Sequence, residues 1–287
     1  CTYCKTKQAR GNLVSYPKEQ IIQQAKEAIK EGCKELWITS QDNGCYGLDV
    51  SAHEKYFLPQ LLRDLLDLDG NFRVRLGMCN PNHILKIQKD LIKIYKHPKM
   101  FKFLHIPVQS GSNKILKLMN RFYSVEDFET IVNEFRKEIP DITISTDIIV
   151  GFPEETENDF KDSLNLVKKI TPDVINLSRF WLRKNTPAEK LNQIHGKISK
   201  IRSQILKKEF HRLLLEKNKK LIGKTYEILI DDYGTHNSLI GRNSNYTSIV
   251  IKLVSSKKES NSTLILGQFV NVKIVDIGTY DLRAELF

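Results

Sequence analysis

TISTDIIVGFPEETENDFKDSLNLVKKITPDVINLSRF, residues 143–180, reads as strand, helix and strand in succession. Thr143 to Val150 is a β-branched run, Glu155 to Ile170 has helical spacing, and Val174 to Phe180 returns to strand texture. Such a unit builds a parallel sheet, because its two strands need a helical crossover between them. Working outward, the same alternation predicts strands at Glu35 to Thr39, Phe72 to Leu76 and Phe103 to Ile106. It predicts helices at Pro17 to Glu31, His53 to Leu68, Asn82 to Tyr95, Ser112 to Met119 and Ser124 to Glu138. Ser124 with Asp127 forms a capping box with a shortened acid, and Pro140 ends that helix. The fold class is α/β.

Beyond residue 196 the texture changes. Lys197 to Lys220 places Ile198, Ile201, Ile205, Phe210, Leu213 and Leu214 at near-helical spacing and predicts a basic amphipathic connector, with the cations on the other faces. From Gly223 onward short alternating runs (Tyr226, Ile228, Ile230; Val270, Val272, Ile274) are separated by Asn, Gly and Ser clusters, which predicts a small all-β domain. Ser255 to Ser262 reads as a polar hairpin loop. The expected division is 1–196, 197–220 and 221–287.

The chain has 287 residues, 28% of them charged, and a net charge of +11. Residues 197–220 carry nine Lys and Arg against two acids, whereas 221–287 carry seven of each. Charge concentrated in this way points to a polyanion, with a merely solvated helix as the alternative. The apolar runs at Ile148 to Val150 and Leu264 to Leu266 are far shorter than the ~20 residues of a membrane span. Five cysteines make no disulfide framework, so a reducing, cytoplasmic setting is expected. The first residue is Cys1, without a targeting signal, and the chain is expected to begin in mid-protein.

Cys1 and Cys4 stand as C-x-x-C, followed by the basic Lys5, Lys7 and Arg10. Two such thiolates can share zinc, form a redox pair or hold part of an iron-sulfur cluster. Cys33, Cys45 and Cys79 show no such spacing and read as small buried hydrophobes.

The runs CTYCKTKQARG, ITSQDNGCYG, RLGMCNPNHIL, FLHIPVQSGS and STDIIVGFPEET, in this order, resemble the radical-S-adenosylmethionine methylthiotransferase family. Within it they are most similar to the archaeal and eukaryotic threonylcarbamoyladenosine tRNA methylthiotransferases, and ILGQFVNVKIVDIG resembles that family's TRAM domain. The resemblance implies a partial (β/α)6 TIM-like barrel followed by a small OB-like TRAM barrel. It implies a four-iron four-sulfur cluster and S-adenosylmethionine, with Cys1 and Cys4 matching two of three cluster cysteines. The first of those three would lie four residues before Cys1, and a second cluster would sit in a preceding domain, so the chain alone is expected to bind the cluster poorly and be inactive.

Cofactor contacts carried over by resemblance are Tyr3, Ser40, Gln41, Asp42, Arg75, Asn80, His105, Gln109, Ile149, Gly151 and Glu154, gathered at the carboxyl ends of barrel strands. Gly151 would let the backbone approach adenine. His105 has the alternative of a satisfied core histidine, and Glu154 with Glu155 that of capping the next helix. His53 and His83 receive no role, and Phe180, Trp181 and Arg183 could meet RNA or be core. RNA contacts are expected at Arg10, Lys207, Lys208, Arg212, Lys224, Arg242 and Lys252, with Lys273 a further candidate. The implied reaction uses two S-adenosylmethionines: one supplies a methyl group to sulfur, and the other yields a 5'-deoxyadenosyl radical that activates C2 of the modified adenosine beside the anticodon. The expected partners are tRNA, through its anticodon stem-loop, and an electron donor, with no membrane and a monomeric state. Two alternatives stay open: a ribosomal-protein aspartate methylthiotransferase, and a non-catalytic RNA binder on the same scaffold.

Overall fold

The computed structural model describes residues 1–50, 57–252 and 264–286. In chain order these form α1 (Thr6–Arg10), α2 (Lys18–Lys30), β1 (Glu35–Ile38), α3 (Leu58–Leu66), β2 (Arg73–Leu76), α4 (Pro81–Tyr95) and β3 (Phe103–His105). There follow α5 (Asn113–Leu118), α6 (Val125–Glu138), β4 (Thr143–Val150), α7 (Glu157–Ile170), β5 (Val174–Arg179) and α8 (Gly196–Lys219). The last elements are β6 (Thr225–Tyr233), β7 (Ser238–Asn243), β8 (Ser248–Lys252), β9 (Phe269–Ile277) and β10 (Leu282–Leu286). The start of the helix expected at His53, and the loop expected at Ser255 to Ser262, lie outside the described residues.

Helix starts follow local chemistry. Ser124 caps α6 and Thr156 caps α7, each in a reciprocal capping box with an Asp three residues on. Glu154 and Glu155 therefore do not cap α7; Thr156 accepts the Asp159 amide in that place. Pro81 opens α4, where its missing N–H is no loss.

The chain divides into two compact units, Cys1–Phe210 and His211–Phe287, the division falling inside α8. In the first, β1 pairs in parallel with β2, and β3, β4 and β5 form a second parallel sheet. A single bridge from Val74 to Met100 leads from one sheet towards the other. Helices α3, α4 and α6 bury Leu62, Leu65, Ile84, Leu91, Phe128 and Phe135. Tyr95 packs edge-on to Phe135 and donates to the Phe103 carbonyl at 3.1 Å, tying α4 to β3. The result is an incomplete parallel barrel with helices outside.

The second unit is a closed five-stranded barrel in the order β10-β8-β7-β6-β9. Ile228, Ile249, Ile251, Val272, Ile274 and Leu282 fill it. Closure removes unpaired edges, which a small sheet of this kind must otherwise protect.

Helix α8 departs from its expected facing. Ile198, Ile201 and Ile205 are exposed, at 43%, 47% and 44%. The buried stripe is Ser199, Arg202, Leu206, Phe210, Leu214 and Asn218, so one cation is buried and three isoleucines are not. Apolar periodicity located the helix and its buried Phe210 and Leu214 but misplaced the buried side of its first half, where Arg202 has an internal partner that no periodicity reveals.

Candidate functional site

The amino-terminal cysteine loop is fastened to the barrel by its own backbone. The Thr2 amide donates to the Met119 carbonyl at 3.1 Å, its hydroxyl to the Leu118 carbonyl at 2.8 Å, and its own carbonyl accepts the Ala188 amide at 3.0 Å. Tyr3 packs edge-on to Phe152 at 5.8 Å, over a cluster of Ile115, Met119, Phe152 and Ala188 that Ile149 and Phe180 also join. These contacts seat Cys1 and Cys4 beside the ends of α5 and β4.

Arg121, which follows the left-handed Asn120 after α5, joins this loop to the strand ends. Its Nη2 donates to the Tyr3 hydroxyl at 3.1 Å and its Nη1 to Asn80 Oδ1 at 2.7 Å. Asn80, at the start of α4, donates from backbone and side chain to Asp42, the residue that also accepts the Gly44 amide. His83 Nε2 lies 3.6 Å from the same carboxylate. A continuous polar chain thus runs Asp42, Asn80, Arg121, Tyr3. Burial raises the Tyr3 phenol above its ordinary range despite the guanidinium. Sequence reading missed Arg121 and gave His83 no role; the only local signal for Arg121 was an Asn in position to end a helix just before it.

A second constellation lies on β3, β4 and β5. His105 Nε2 sits 2.9 Å from Asp147 Oδ1, and the Asn176 amide donates to the same oxygen at 2.7 Å. Burial pushes Asp147 upward, but the hydrogen bonds from His105 and Asn176 outweigh it and hold the carboxyl below its usual range. An ionised Asp147 only accepts, so the His105 proton on this side belongs to Nε2. His105 is thus a satisfied histidine that also faces the barrel interior.

The remaining expected contacts scatter. Ser40 accepts the Asp42 amide, and Gln41 is exposed beside it. Gln109 is buried with φ +71 and exchanges backbone bonds with Asp147 and Ile149. Arg75 lies with its guanidinium 4.9 Å from both the Trp37 and Phe103 rings. Glu154 turns away, accepting from the Asn192 backbone at 3.1 Å and from its side-chain amide at 2.6 Å. At Gly151, φ is +74 and an added Cβ would stand 2.3 Å from Ser199 Cβ, so packing against α8 requires the glycine. Glu155 is buried and accepts both the Gly151 amide and Arg202.

Two soft sulfur donors fit an iron-sulfur role at the loop. Desolvation by its neighbours raises the Cys4 thiol, yet bonds with the Thr6 hydroxyl and amide bring it below its ordinary value. Both cysteines are exposed, and no group of three His, Cys, Asp or Glu side chains suited to a metal gathers among the described residues. Cys33 is exposed rather than buried as expected, while Cys79 is buried and Cys45, half-buried, is pushed up to about 11 by burial and Asp42.

Of the expected RNA contacts, Lys207, Lys208, Lys224, Lys252, Lys273 and Arg10 are exposed. Arg212 pairs with Glu216 at 2.7 Å. Arg242 donates to Asp231 at 2.9 Å and stacks over Tyr246, so its charge is offset. Tyr233 and Tyr280, exposed on the small barrel, offer stacking faces that the sequence reading passed over. Phe180 is core-packed, whereas Trp181 is 75% exposed.

A profile of the Radical SAM superfamily matches residues 1–167, and one of the TRAM domain matches 219–287. The chain is 43% identical over 278 residues to a probable threonylcarbamoyladenosine tRNA methylthiotransferase of Pyrococcus abyssi, covering 94% of this chain and 64% of that protein. It is 42% identical to the protein of the same name from Methanocaldococcus jannaschii, over 100% of this chain and 62% of that one. Against the human threonylcarbamoyladenosine tRNA methylthiotransferase the identity is 36%, over 99% and 47%. The chain therefore spans from just under half to just under two thirds of these relatives' length. Among solved structures, coproporphyrinogen III oxidase from Escherichia coli overlaps with a TM-score of 0.48 at 16% identity, over 79% of this chain and 58% of that one.

Proposed function

From the premise that the chain belongs to the radical SAM superfamily and ends in a TRAM domain, we propose that it is the cofactor- and RNA-binding part of a tRNA methylthiotransferase. Its substrate is N6-threonylcarbamoyladenosine beside the anticodon, converted to the 2-methylthio derivative. The names of relatives 36–43% identical over nearly the whole chain support this reading. The observation that carries it is the lashing of the C-x-x-C loop, through Tyr3 and Arg121, to Asn80 and Asp42 at the ends of neighbouring strands.

When bound, an iron-sulfur cluster with S-adenosylmethionine supplies the one-electron chemistry that breaks an unreactive carbon-hydrogen bond. The chain's own part is placement. Cys1 and Cys4 would furnish two thiolates for the cluster, and a second cluster would belong to the whole protein. Tyr3, Asp42 and Asn80 would hold the cofactor beside the cysteine loop, with Ser40, Gln41, Gln109 and Ile149 as further contacts from the neighbouring strand ends. Arg121 fixes the angle of the loop by holding two of those residues at once. Asp42 keeps Asn80 and the Gly44 turn in register with each other. Gly151 and Glu154 act indirectly, by packing against Ser199 and holding Asn192.

RNA is gripped by the exposed Lys207 and Lys208 of α8, by Arg10, and by Lys224 and Lys252 of the small barrel, with Tyr233 and Tyr280 as stacking faces. The protein works in the cytoplasm as a monomer, with an external electron donor.

The test is mass spectrometry of bulk tRNA from a strain lacking the gene. Loss of the 2-methylthio mark, with threonylcarbamoyladenosine itself accumulating, is expected. An unchanged nucleoside profile would refute the reading. Anaerobic reconstitution of the full-length protein is expected to give about eight irons per chain for two four-iron clusters.

A further inference from the structure

Strand β5 is an outer strand of the β3-β4-β5 sheet and, being parallel to β4, ends at the same rim. The Phe180 amide continues the ladder, donating to the Val150 carbonyl at 2.9 Å. The Phe180 ring packs edge-on to Phe152 at 5.2 Å and joins the cluster that seats Tyr3. Trp181 comes next and does not share that packing, for it is 75% exposed. Arg179, Arg183 and Lys184 around it are exposed as well. This run is tied twice to the cysteine loop and the helix that follows it. Gln8 Nε2 donates to the Asn185 carbonyl at 3.0 Å, and the Ala188 amide donates to the Thr2 carbonyl at the same distance.

Gln8 belongs to α1, which adds the exposed Lys7 and Arg10 to this rim. Lys7 donates to the neutral Asn12 side chain, and no carboxylate among the described residues pairs with any of these five cations. The core needs one aromatic at the end of β5, and Phe180 already fills that place. An indole left open among unpaired cations offers a flat apolar face inside a positive field. A single-stranded nucleic-acid loop meets both, with an unpaired base for the ring and phosphates for the cations. A paired duplex keeps its base faces stacked and meets the cations alone. An acidic peptide likewise leaves the indole without a flat partner.

Resting on the tRNA reading above, we infer that Trp181 stacks on one unpaired base of the anticodon loop while Arg179 and Arg183 hold the phosphates beside it. The contact sets which stretch of the loop lies next to Cys1 and Cys4.

The experiment measures dissociation constants of the full-length protein for three kinds of RNA. These are the anticodon stem-loop bearing threonylcarbamoyladenosine, the same loop lacking the base at one loop position at a time, and a fully paired duplex of equal length. The wild-type protein is expected to prefer the intact loop to the duplex and to lose about tenfold at one abasic position, the scale of one base stacked on an aromatic ring. Trp181→Ala is expected to bind the intact loop about tenfold more weakly and to be indifferent to that abasic position. Trp181→Phe keeps a ring and is expected to restore most of both effects, which separates lost stacking from lost folding. Arg179→Gln with Arg183→Gln is expected to reduce the salt slope of log K by about 1.4, as loss of two single-strand phosphate contacts requires. The inference is overturned, with the tRNA reading left standing, by a Trp181→Ala protein that binds the intact loop like the wild type or keeps the full abasic loss. An equal loss for loop and duplex in both Trp181 variants, or an unchanged salt slope in the double Gln variant, overturns it too. If the wild-type protein binds stem-loop and duplex equally, the tRNA reading falls, and this inference with it.

Discussion

Arg202 Nη1 lies 2.6 Å from Glu155 Oε2, and both side chains are shielded from solvent, at 7% and 0% exposure. The same guanidinium nitrogen donates to the Glu155 backbone carbonyl at 3.0 Å, so α8 is pinned to the turn that follows β4. Removing one partner of a buried pair strands the other charge, which is worth about 3–5 kcal/mol. Arg202→Ala should therefore lower the unfolding free energy by that order. Pairing Glu155→Gln with Arg202→Met should be much milder than the sum of the single changes, since the amide still accepts the Gly151 N–H. Urea unfolding of the wild type, Glu155→Gln, Arg202→Met and their combination measures the coupling, and additive losses would show that the pair does not act as a unit.

Gly151 stands in the same corner. Alanine there meets Ser199 Cβ at 2.3 Å and must hold φ at +74. The left-handed backbone is worth about 1–2 kcal/mol and the overpacking about 1–3 kcal/mol more. Ser199→Gly in the Gly151→Ala background should recover the packing share and leave the backbone share. Thermal melts decide it: no recovery would mean that packing against α8 is not what selects glycine.

Asp159 governs an acid-sensitive joint between α5 and α7. Burial pushes its carboxyl upward, but bonds from the Ser112 and Thr156 hydroxyls, the Thr156 amide and Lys114 outweigh it and hold it well below the usual carboxylate range. A folded-state value below the unfolded one contributes stability that is present above about pH 4 and is lost as the pH falls towards the folded value. The wild-type protein should lose stability below pH 4 by this route. Asp159→Asn should be less stable at neutral pH and lack this part of the acid dependence. Urea midpoints between pH 7 and pH 3 test it, and parallel curves would contradict it.

Arg121 is expected to act on the cysteine loop rather than on the core. Arg121→Gln removes the bond to the Tyr3 hydroxyl, so the amides of Thr2 and Ala188, which fix the loop, should exchange hydrogen about tenfold faster, as for one lost hydrogen bond. Amides in α6 should keep their rates. Exchange unchanged at Thr2 and Ala188 would remove Arg121 from this role.

Lys207 and Lys208 are exposed on α8, whereas the neighbouring Arg212 is engaged by Glu216. Replacing both lysines by Ala should weaken tRNA binding and reduce the salt slope of log K by about one to two, as loss of up to two phosphate contacts requires. Filter binding between low and moderate salt shows the change. An identical slope would place the RNA elsewhere.

The sequence of strands and helices was legible because buried parallel strands and amphipathic helices leave separate periodicities, as in residues 143–180. Ser124 with Asp127 was legible for the same local reason, and the structure has the full capping box. Helix α8 was legible as a helix, and in its facing only at Phe210 and Leu214. The periodicity of Ile198, Ile201 and Ile205 indicated a buried stripe, yet the face that packs carries Arg202, whose partner lies 47 residues away. Cys33 looked like a buried thiol for a similar reason: composition gives the average burial of a residue type, and not the burial of one position.

By itself the sequence determined the class of fold, the change to an all-β tail and the pair of thiols at the amino end, because each is written in residues adjacent along the chain. Only the tertiary structure decided that Arg121 joins Tyr3 to Asn80, that Glu155 belongs to Arg202, and that the Arg75 guanidinium lies 4.9 Å from both the Trp37 and Phe103 rings. Each of these depends on side chains brought together by strand register and helix crossover from distant parts of the chain. Periodicity records which face a residue is on, and carries no information about what waits on the other side.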